Sequence, residues 1–230
     1  MSEAYYRDQL YPLQDAALEA IGKTSTRLYL TGGTLLSRFM LNHRLSDDLD
    51  FFINRDDHFE LEVQKLVDGL TPLGTIRWGL RDDSFTRVFL EHKGVTLKLE
   101  FVNDILHHVG KIERHSSGFL MDNWQNVLTN KITALSRLAA KDYIDILFLS
   151  LSFPFNWEEM INHAKQKDAW ISEHEIANFL LKFDSNELAQ VVFSDNFNKS
   201  TITKSYFEIL ARDSFNGFDN SLYGKKLQSV

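Results

Sequence analysis

The 230-residue chain contains no cysteine, which excludes a disulfide framework and a thiolate zinc site and fits a reducing cytoplasm. No segment reaches the roughly 18 uninterrupted apolar residues of a transmembrane helix, so a soluble protein with no membrane partner is expected. The opening "MSEAYYRDQLYPLQDAALEAIGK" has neither the basic n-region nor the apolar h-region of a signal peptide. Basic charge is scarce: 25 Lys and Arg against 32 Asp and Glu leave a formal charge of -7 and a pI near 5.6. That balance argues against sequence-independent binding of nucleic acid over the whole surface. One local basic patch is a candidate, "HHVGKIERH" over 107–115, against the plainer reading of a solvated loop. The eight His show no metal-ligand spacing, and no Gly-x-Ser-x-Gly or Cys/His arrangement points to acyl chemistry. Apolar residues, in contrast, are plentiful. A hydrophobic fraction of 43% with 18 Phe is enough for one large domain or two small ones.

With no internal repeat and no low-complexity tract, the chain divides by pattern. Residues 4–22 read as a helix with Pro12 near its start. "RLYL" (27–30) reads as a strand closed by Thr31-Gly32-Gly33, and "TLLSRFML" from Thr34 resumes as helix. "DLDFFI" (48–53) is a second strand. Asp56 or Asp57 is placed to cap a helix through about Leu70, with Phe59, Val63, Leu66 and Val67 at helical spacing. "TIRWGL", "FTRVFLEH" and "VTLKLEFV" follow as strands, the last two joined over His92-Lys93-Gly94 as a hairpin. From about residue 118 the character turns helical. Asp122 is placed to cap a helix through Leu138, a second helix runs from about Lys141 to Leu151, and Pro154 stops it. Ser172 with Glu175 forms a capping box, Asp184 with Glu187 suggests another start, and the tail "SLYGKKLQSV" is expected to fray. The expectation is an α/β (α+β) unit, a mixed sheet with flanking helices, over 1–117. A helical domain over 118–230 follows, with a cleft between the two.

Two features carry chemistry. The Gly32-Gly33 pair ends one apolar run, and a turn without side chains lets backbone N–H groups approach a phosphate at a helix N-terminus. Inside the next run stand Asp48 and Asp50, which point to one side of a strand while Leu49 and Phe51 point to the other. Two adjacent carboxylates repel, and a divalent cation would remove the repulsion. "TLKLEF" repeats the alternation, so if its strand lies beside the first, Glu100 brings a third carboxylate to the same spot. Oxygen donors without His or Cys suit Mg²⁺ or Mn²⁺ rather than zinc, and such ions act in phosphoryl transfer. Arg44 and Ser46 are placed to hold further phosphate oxygens. Lys98, beside Glu100 on the same face, is a weaker phosphate or metal-shell candidate.

Through "GGTLLSRF", "HRLSDDLDFF", "TLKLEF" and "NKITALSRLAAKDYIDILFL", the chain from about residue 28 to 150 resembles the AbiEii/AbiGii nucleotidyltransferases of the DNA polymerase β-like superfamily. The resemblance implies a nucleotidyltransferase-type mixed sheet with flanking helices followed by a helical domain closing the nucleotide cleft, triphosphate binding at Gly32 and Gly33, and metal binding at Asp48, Asp50 and Glu100. The third carboxylate is Asp in many relatives, so Glu100 is longer than the pattern. Lys131 falls inside an apolar helical stripe (Trp124, Leu128, Leu135, Leu138), so that either its stem packs and the ammonium reaches water or it meets an anion. The resemblance matches it to a lysine that contacts nucleotide phosphates. Asp142 and Asp145, in a helix apolar nearly all round, need partners, and Arg137, Lys141 or Lys131 would make an ion pair tying the helices.

Together these features imply a metal-dependent transfer of NMP from an NTP to an acceptor hydroxyl, with pyrophosphate leaving. The resemblance further implies a cytoplasmic toxin of a toxin–antitoxin or phage-defence pair with a cognate antitoxin, acting on RNA such as the tRNA 3′ end. The alternatives are transfer of AMP to a protein and a non-enzymatic NTP-binding sensor or scaffold.

Overall fold

The computed structural model describes residues 3–194 and 197–227. The chain forms two compact units: residues up to Met40 with Leu45–Asn123, and Leu41–Arg44 with the chain from Trp124 onward.

The first unit is built on one mixed sheet. Its strands are β1 (Tyr29–Thr31), β2 (Leu49–Asn54), β3 (Thr75–Arg81), β4 (Phe85–His92), β5 (Val95–Asp104), β6 (Glu113–Arg114) and β7 (Leu120–Met121), in the order β3-β4-β5-β2-β1-β7-β6. The two-residue alternation of the sequence decides which face is covered: Leu49, Phe51 and Ile53 of β2, Val88 and Leu90 of β4, and Leu97, Leu99 and Phe101 of β5 are all buried, as expected of strands with one apolar side. Phe51 and Phe101 stack with their rings 5.9 Å apart. The chain is helical from Glu3, and a π-helical stretch over Tyr6–Leu10 leads straight into α1 (Tyr11–Gly22), with Pro12 just past the junction. Its Leu13, Ala17, Leu18 and Ile21 are buried, as are Phe59, Val63, Leu66, Val67 and Leu70 of α2 (Phe59–Leu70).

The hairpin between β4 and β5 closes as its pattern predicts. His92 pairs with Val95, and Lys93 and Gly94 take φ of 47° and 81°, the two left-handed positions of the tight turn that suits strand twist. Three local expectations are corrected. Strand character continues to Met121, because Leu120 and Met121 pair with β1. Neither Asp56 nor Asp57 occupies the cap position of α2: that position is His58, and Asp56 accepts the His58 amide. Asp122 is drawn into the sheet, its amide bonded to the Leu30 carbonyl.

The second unit is helical: α3 (Trp124–Ala134), α4 (Ala140–Ser152), α5 (Trp157–Lys167), α6 (Glu173–Leu181) and α7 (Lys204–Asn216). A short 3₁₀ turn, Leu135–Arg137, and a left-handed Leu138 separate α3 from α4. Asn156 caps α5 and Ser172 caps α6, each side chain accepting the amide three residues on. Tyr143, Phe183 and Phe207 form an aromatic core, the last two stacked at 3.8 Å. The tail is held at its start, while Tyr223–Lys226 are exposed. Leu222 is fully buried and Asn220 donates to the carbonyls of Ser150 and Phe153 at 2.6 and 2.9 Å; Gln228–Val230 lie outside the described residues.

Gly94 has open space around its Cα, so Gly94→Ala meets no clash and costs only the left-handed backbone. A loss of about 1–2 kcal/mol is expected in urea denaturation, with the slope against denaturant unchanged.

Candidate active site

β1 runs antiparallel to β2 with Thr31 opposite Asp50, and β2 runs parallel to β5 with Asp50 opposite Glu100. This register gathers carboxylate oxygens of Asp48, Asp50 and Glu100 within 4.8 Å of one another. Just beyond β1 the chain turns through Gly32, at φ +71°, and is helical from there to Met40. A side chain at position 32 is doubly excluded: the backbone is left-handed and an added Cβ would collide with the Asp50 carboxylate. Thr34 then donates its hydroxyl to the Asp48 carbonyl. From α1, Gln14 donates to the carbonyls of Ser46 and Asp47 at 3.2 and 3.1 Å, and the Tyr11 hydroxyl receives the Ser46 amide. The approach to Asp48 is therefore pinned by its backbone.

Two cations answer the acidic cluster. Lys98 Nζ lies 2.6 Å from Asp48 and 3.2 Å from Glu100; Arg87 reaches Glu100 with Nε at 2.8 Å and its terminal nitrogen at 2.6 Å. Burial alone would raise the Glu100 carboxyl, but the Arg87 hydrogen bond and the Lys98 charge outweigh it and hold Glu100 below the usual carboxylate range. Burial would likewise lower the Lys98 ammonium, yet Asp48 and Glu100 hold it raised. The donor set is three oxygens on neighbouring strands without imidazole or thiolate, which fits a hard divalent cation, and the close approach of Lys98 shows that the cluster already attracts positive charge.

Asp48, Asp50, Glu100, Lys98 and Gly32 thus come together as the alternation suggested, with Gly33 on the same turn and Ser46 in the loop that Gln14 and Tyr11 hold. Arg87 was not foreseen. Its signal was present: a two-residue loop at Lys93-Gly94 sets the β4–β5 register, and that register places Arg87 opposite Glu100. Arg44 and Lys131 are found in a second cluster, buried in the helical unit. Arg44 grips Asp145 with two donors at 2.7 and 2.8 Å, His43 Nε2 lies 2.8 Å from the same carboxylate, and Lys131 Nζ bridges Asp142 and Asp145 at 2.8 and 2.7 Å. Arg137 completes it on Asp142 at 3.0 Å. Burial opposes the Asp145 charge, but Arg44 and Lys131 drive its carboxyl well below the usual range.

The chain is similar to known proteins in sequence and in fold. The family model for the nucleotidyl transferase AbiEii toxin of type IV toxin–antitoxin systems matches residues 16–219; the chain belongs to this family and is a nucleotidyltransferase. Two solved structures are similar. JHP933 from Helicobacter pylori is 19% identical over 94% of both chains, with a TM-score of 0.59. A candidate nucleotidyltransferase from H. pylori is 20% identical over 94% of this chain and 96% of its own, with a TM-score of 0.60. At these identities the likeness is one of fold. No curated protein matches the chain. Among the described residues, no helix is long and apolar enough to cross a membrane.

Asp145→Asn would leave Arg44 and Lys131 as buried charges without their shared anion, and a loss of about 3–5 kcal/mol at pH 7 is expected in chemical denaturation. Because the folded-state pKa is depressed, Asp145 contributes its full stability above the unfolded carboxylate value. That contribution fades as pH falls through the folded value, so the gap between wild type and variant narrows only below about pH 4.

Proposed function

We propose that this nucleotidyltransferase binds an NTP with its triphosphate against the Gly32-Gly33 turn and transfers NMP to an acceptor hydroxyl. The observation that carries the reading is the convergence of Asp48, Asp50 and Glu100 beside that turn, with Gly32 required to be side-chain-free where it faces Asp50. Asp48, Asp50 and Glu100 would hold Mg²⁺ or Mn²⁺, which supplies neutralisation of the charge gathering on the phosphate oxygens.

The acceptor oxygen forms a bond to the α-phosphorus while the bond to the bridging oxygen breaks, and pyrophosphate leaves with the electron pair. The hydroxyl proton passes to solvent: Glu100, held ionised by Arg87 and Lys98, is suited to ligation and charge stabilisation rather than to storing a proton. Lys98 is half-buried and can exchange Asp48 for a phosphate oxygen when the triphosphate arrives, and Ser46 stands in the loop leading to Asp48 as a further phosphate contact. Arg44 and Lys131, each paired with Asp145, are further phosphate contacts in this reading. Catalysis is then mostly positioning and electrostatics.

For the acceptor we favour RNA, with the tRNA 3′ end as the first candidate, in a cytoplasmic toxin with a cognate antitoxin. A protein acceptor is the second reading. The formal charge of -7 and the mixed signs of exposed Lys111, Glu113 and Arg114 favour it, since they make a poor track for a polyanion.

The test is incubation with each α-³²P-labelled NTP, Mg²⁺ or Mn²⁺, and either total tRNA or a protein extract. Label is expected in one acceptor class with the wild type. It should fall to background in Asp48→Asn/Asp50→Asn, with the melting temperature retained because two mutually repelling charges have been removed. Full transfer by that variant would refute the assignment.

A further inference from the structure

Asp50 and Asp48 reach the acidic cluster by different means. Asp50 is a strand residue, opposite Thr31 on one side and Glu100 on the other, and the ladder fixes it. Asp48 precedes β2, which begins at Leu49, so its direction depends on what holds the backbone leading to it. Side chains do that. The carbonyls of Ser46, Asp47 and Asp48 each accept a side-chain donor: Gln14 Nε2 lies 3.2 Å from the first and 3.1 Å from the second, and the Thr34 hydroxyl donates to the third. The Tyr11 hydroxyl accepts the Ser46 amide at 3.2 Å.

Gln14 is fully buried in α1, where an amide is tolerated only if its hydrogen bonds are made. Its nitrogen serves the two carbonyls, and its Oε1 accepts Arg38 Nη1 at 3.0 Å. Arg38 also reaches Asp15 at 2.6 Å and lies over the Tyr11 ring, 4.3 Å from its centre. Carbonyls that call for donors and a guanidinium that calls for an acceptor leave the amide one orientation. A leucine here would fill the core face of α1 without the cost of burying an amide, so packing alone does not account for Gln14. Tyr11 and Gln14 both stand before residue 16, where the match to the family begins, so that match assigns them no role.

On the reading that Asp48, Asp50 and Glu100 hold a divalent cation, we propose that Gln14, aided by Tyr11, is a positioning residue of that site. By holding two successive carbonyls it sets the direction in which Asp48 presents its carboxylate, and it makes the N-terminal helix part of the cation site. A residue that orients a ligand governs affinity without touching the ion, because a carboxylate already held in place has less freedom to lose on binding.

The probe is Mn²⁺ alone, its free fraction read by electron paramagnetic resonance on the full chain, with a thermal melt of each variant beside it. Asp48→Asn removes a ligand and should weaken binding, which assigns the ion to this cluster. Gln14→Met keeps the length and helix preference of the side chain but donates nothing, and it should weaken Mn²⁺ binding about tenfold. Arg38→Met breaks the other bond of the same amide without touching the loop, so its Mn²⁺ affinity should stay within about twofold of wild type whatever it costs in melting temperature. A merely structural Gln14 would not give that split between affinity and stability. If Gln14→Met does not fold, Tyr11→Phe carries the test: it deletes one hydroxyl and should weaken Mn²⁺ about fivefold, the size of one hydrogen bond. Wild type that binds through Asp48, with the Gln14 or Tyr11 variant equal to it or with Arg38→Met losing as much, overturns this inference alone. No binding by wild type, or binding that Asp48→Asn leaves unchanged, overturns the metal assignment as well.

Discussion

Three carboxylates forced together by strand register are the constraint on which the rest of the first unit depends. At about 4 Å, two like charges in a partly solvated protein site repel by roughly 4 kcal/mol, and Asp50 opposite Glu100 with Asp48 two residues away sets three such charges at comparable range. The surrounding residues answer that repulsion. Lys98 stands on the same strand face as Glu100, Arg87 faces Glu100 from the next strand, and the helix begins at the one position where glycine leaves room for the Asp50 side chain. Each of these would be a poor choice without the acids.

The acidic cluster of the sheet and the Asp145 cluster differ in burial, and burial decides what each is suited to do. Around Asp48 and Glu100 the charged groups are half-exposed, so their pairings are weak and exchangeable with an incoming ion or phosphate. Asp145, by contrast, is wholly buried with Lys131 and Arg44 around it. A pair of that kind adds little net stability over apolar packing, yet breaking it leaves an unsolvated charge. The Asp145 network therefore acts as a latch. It holds Leu41–Arg44 in the helical unit, although that segment lies between two stretches of the sheet unit in sequence.

Much of this was legible beforehand where the information is local. The alternation in "DLDFFI" and "TLKLEF" separated core from acid side chains, the Lys93-Gly94 turn identified its hairpin, and Ser172 announced its helix, because period, left-handed turns and caps are decided within a few residues. The misreadings share the opposite property. Asp122 has the local look of a cap, but a parallel pairing of Leu120 and Met121 with β1 carries it to Thr31. The start of the tail looks loose in sequence, yet Leu222 is buried, and Asn220 just before the tail finds carbonyl partners on α4 and the residue that ends it.

The sequence by itself determined the class of chemistry: a glycine turn, paired acids on a strand and a third carboxylate two-residue-periodic with its neighbours are properties of residue type and spacing. Only the tertiary structure decided which charges meet. β2 and β5 lie side by side though about fifty residues separate them in sequence, so nothing in local spacing could place Glu100 on Asp50. Arg44 has the spacing of a phosphate contact, and the fold sets its guanidinium on Asp145, 101 residues away. Charge pairing acts through space and is decided by what folding buries, whereas turn and strand preferences act along the chain and can be read there.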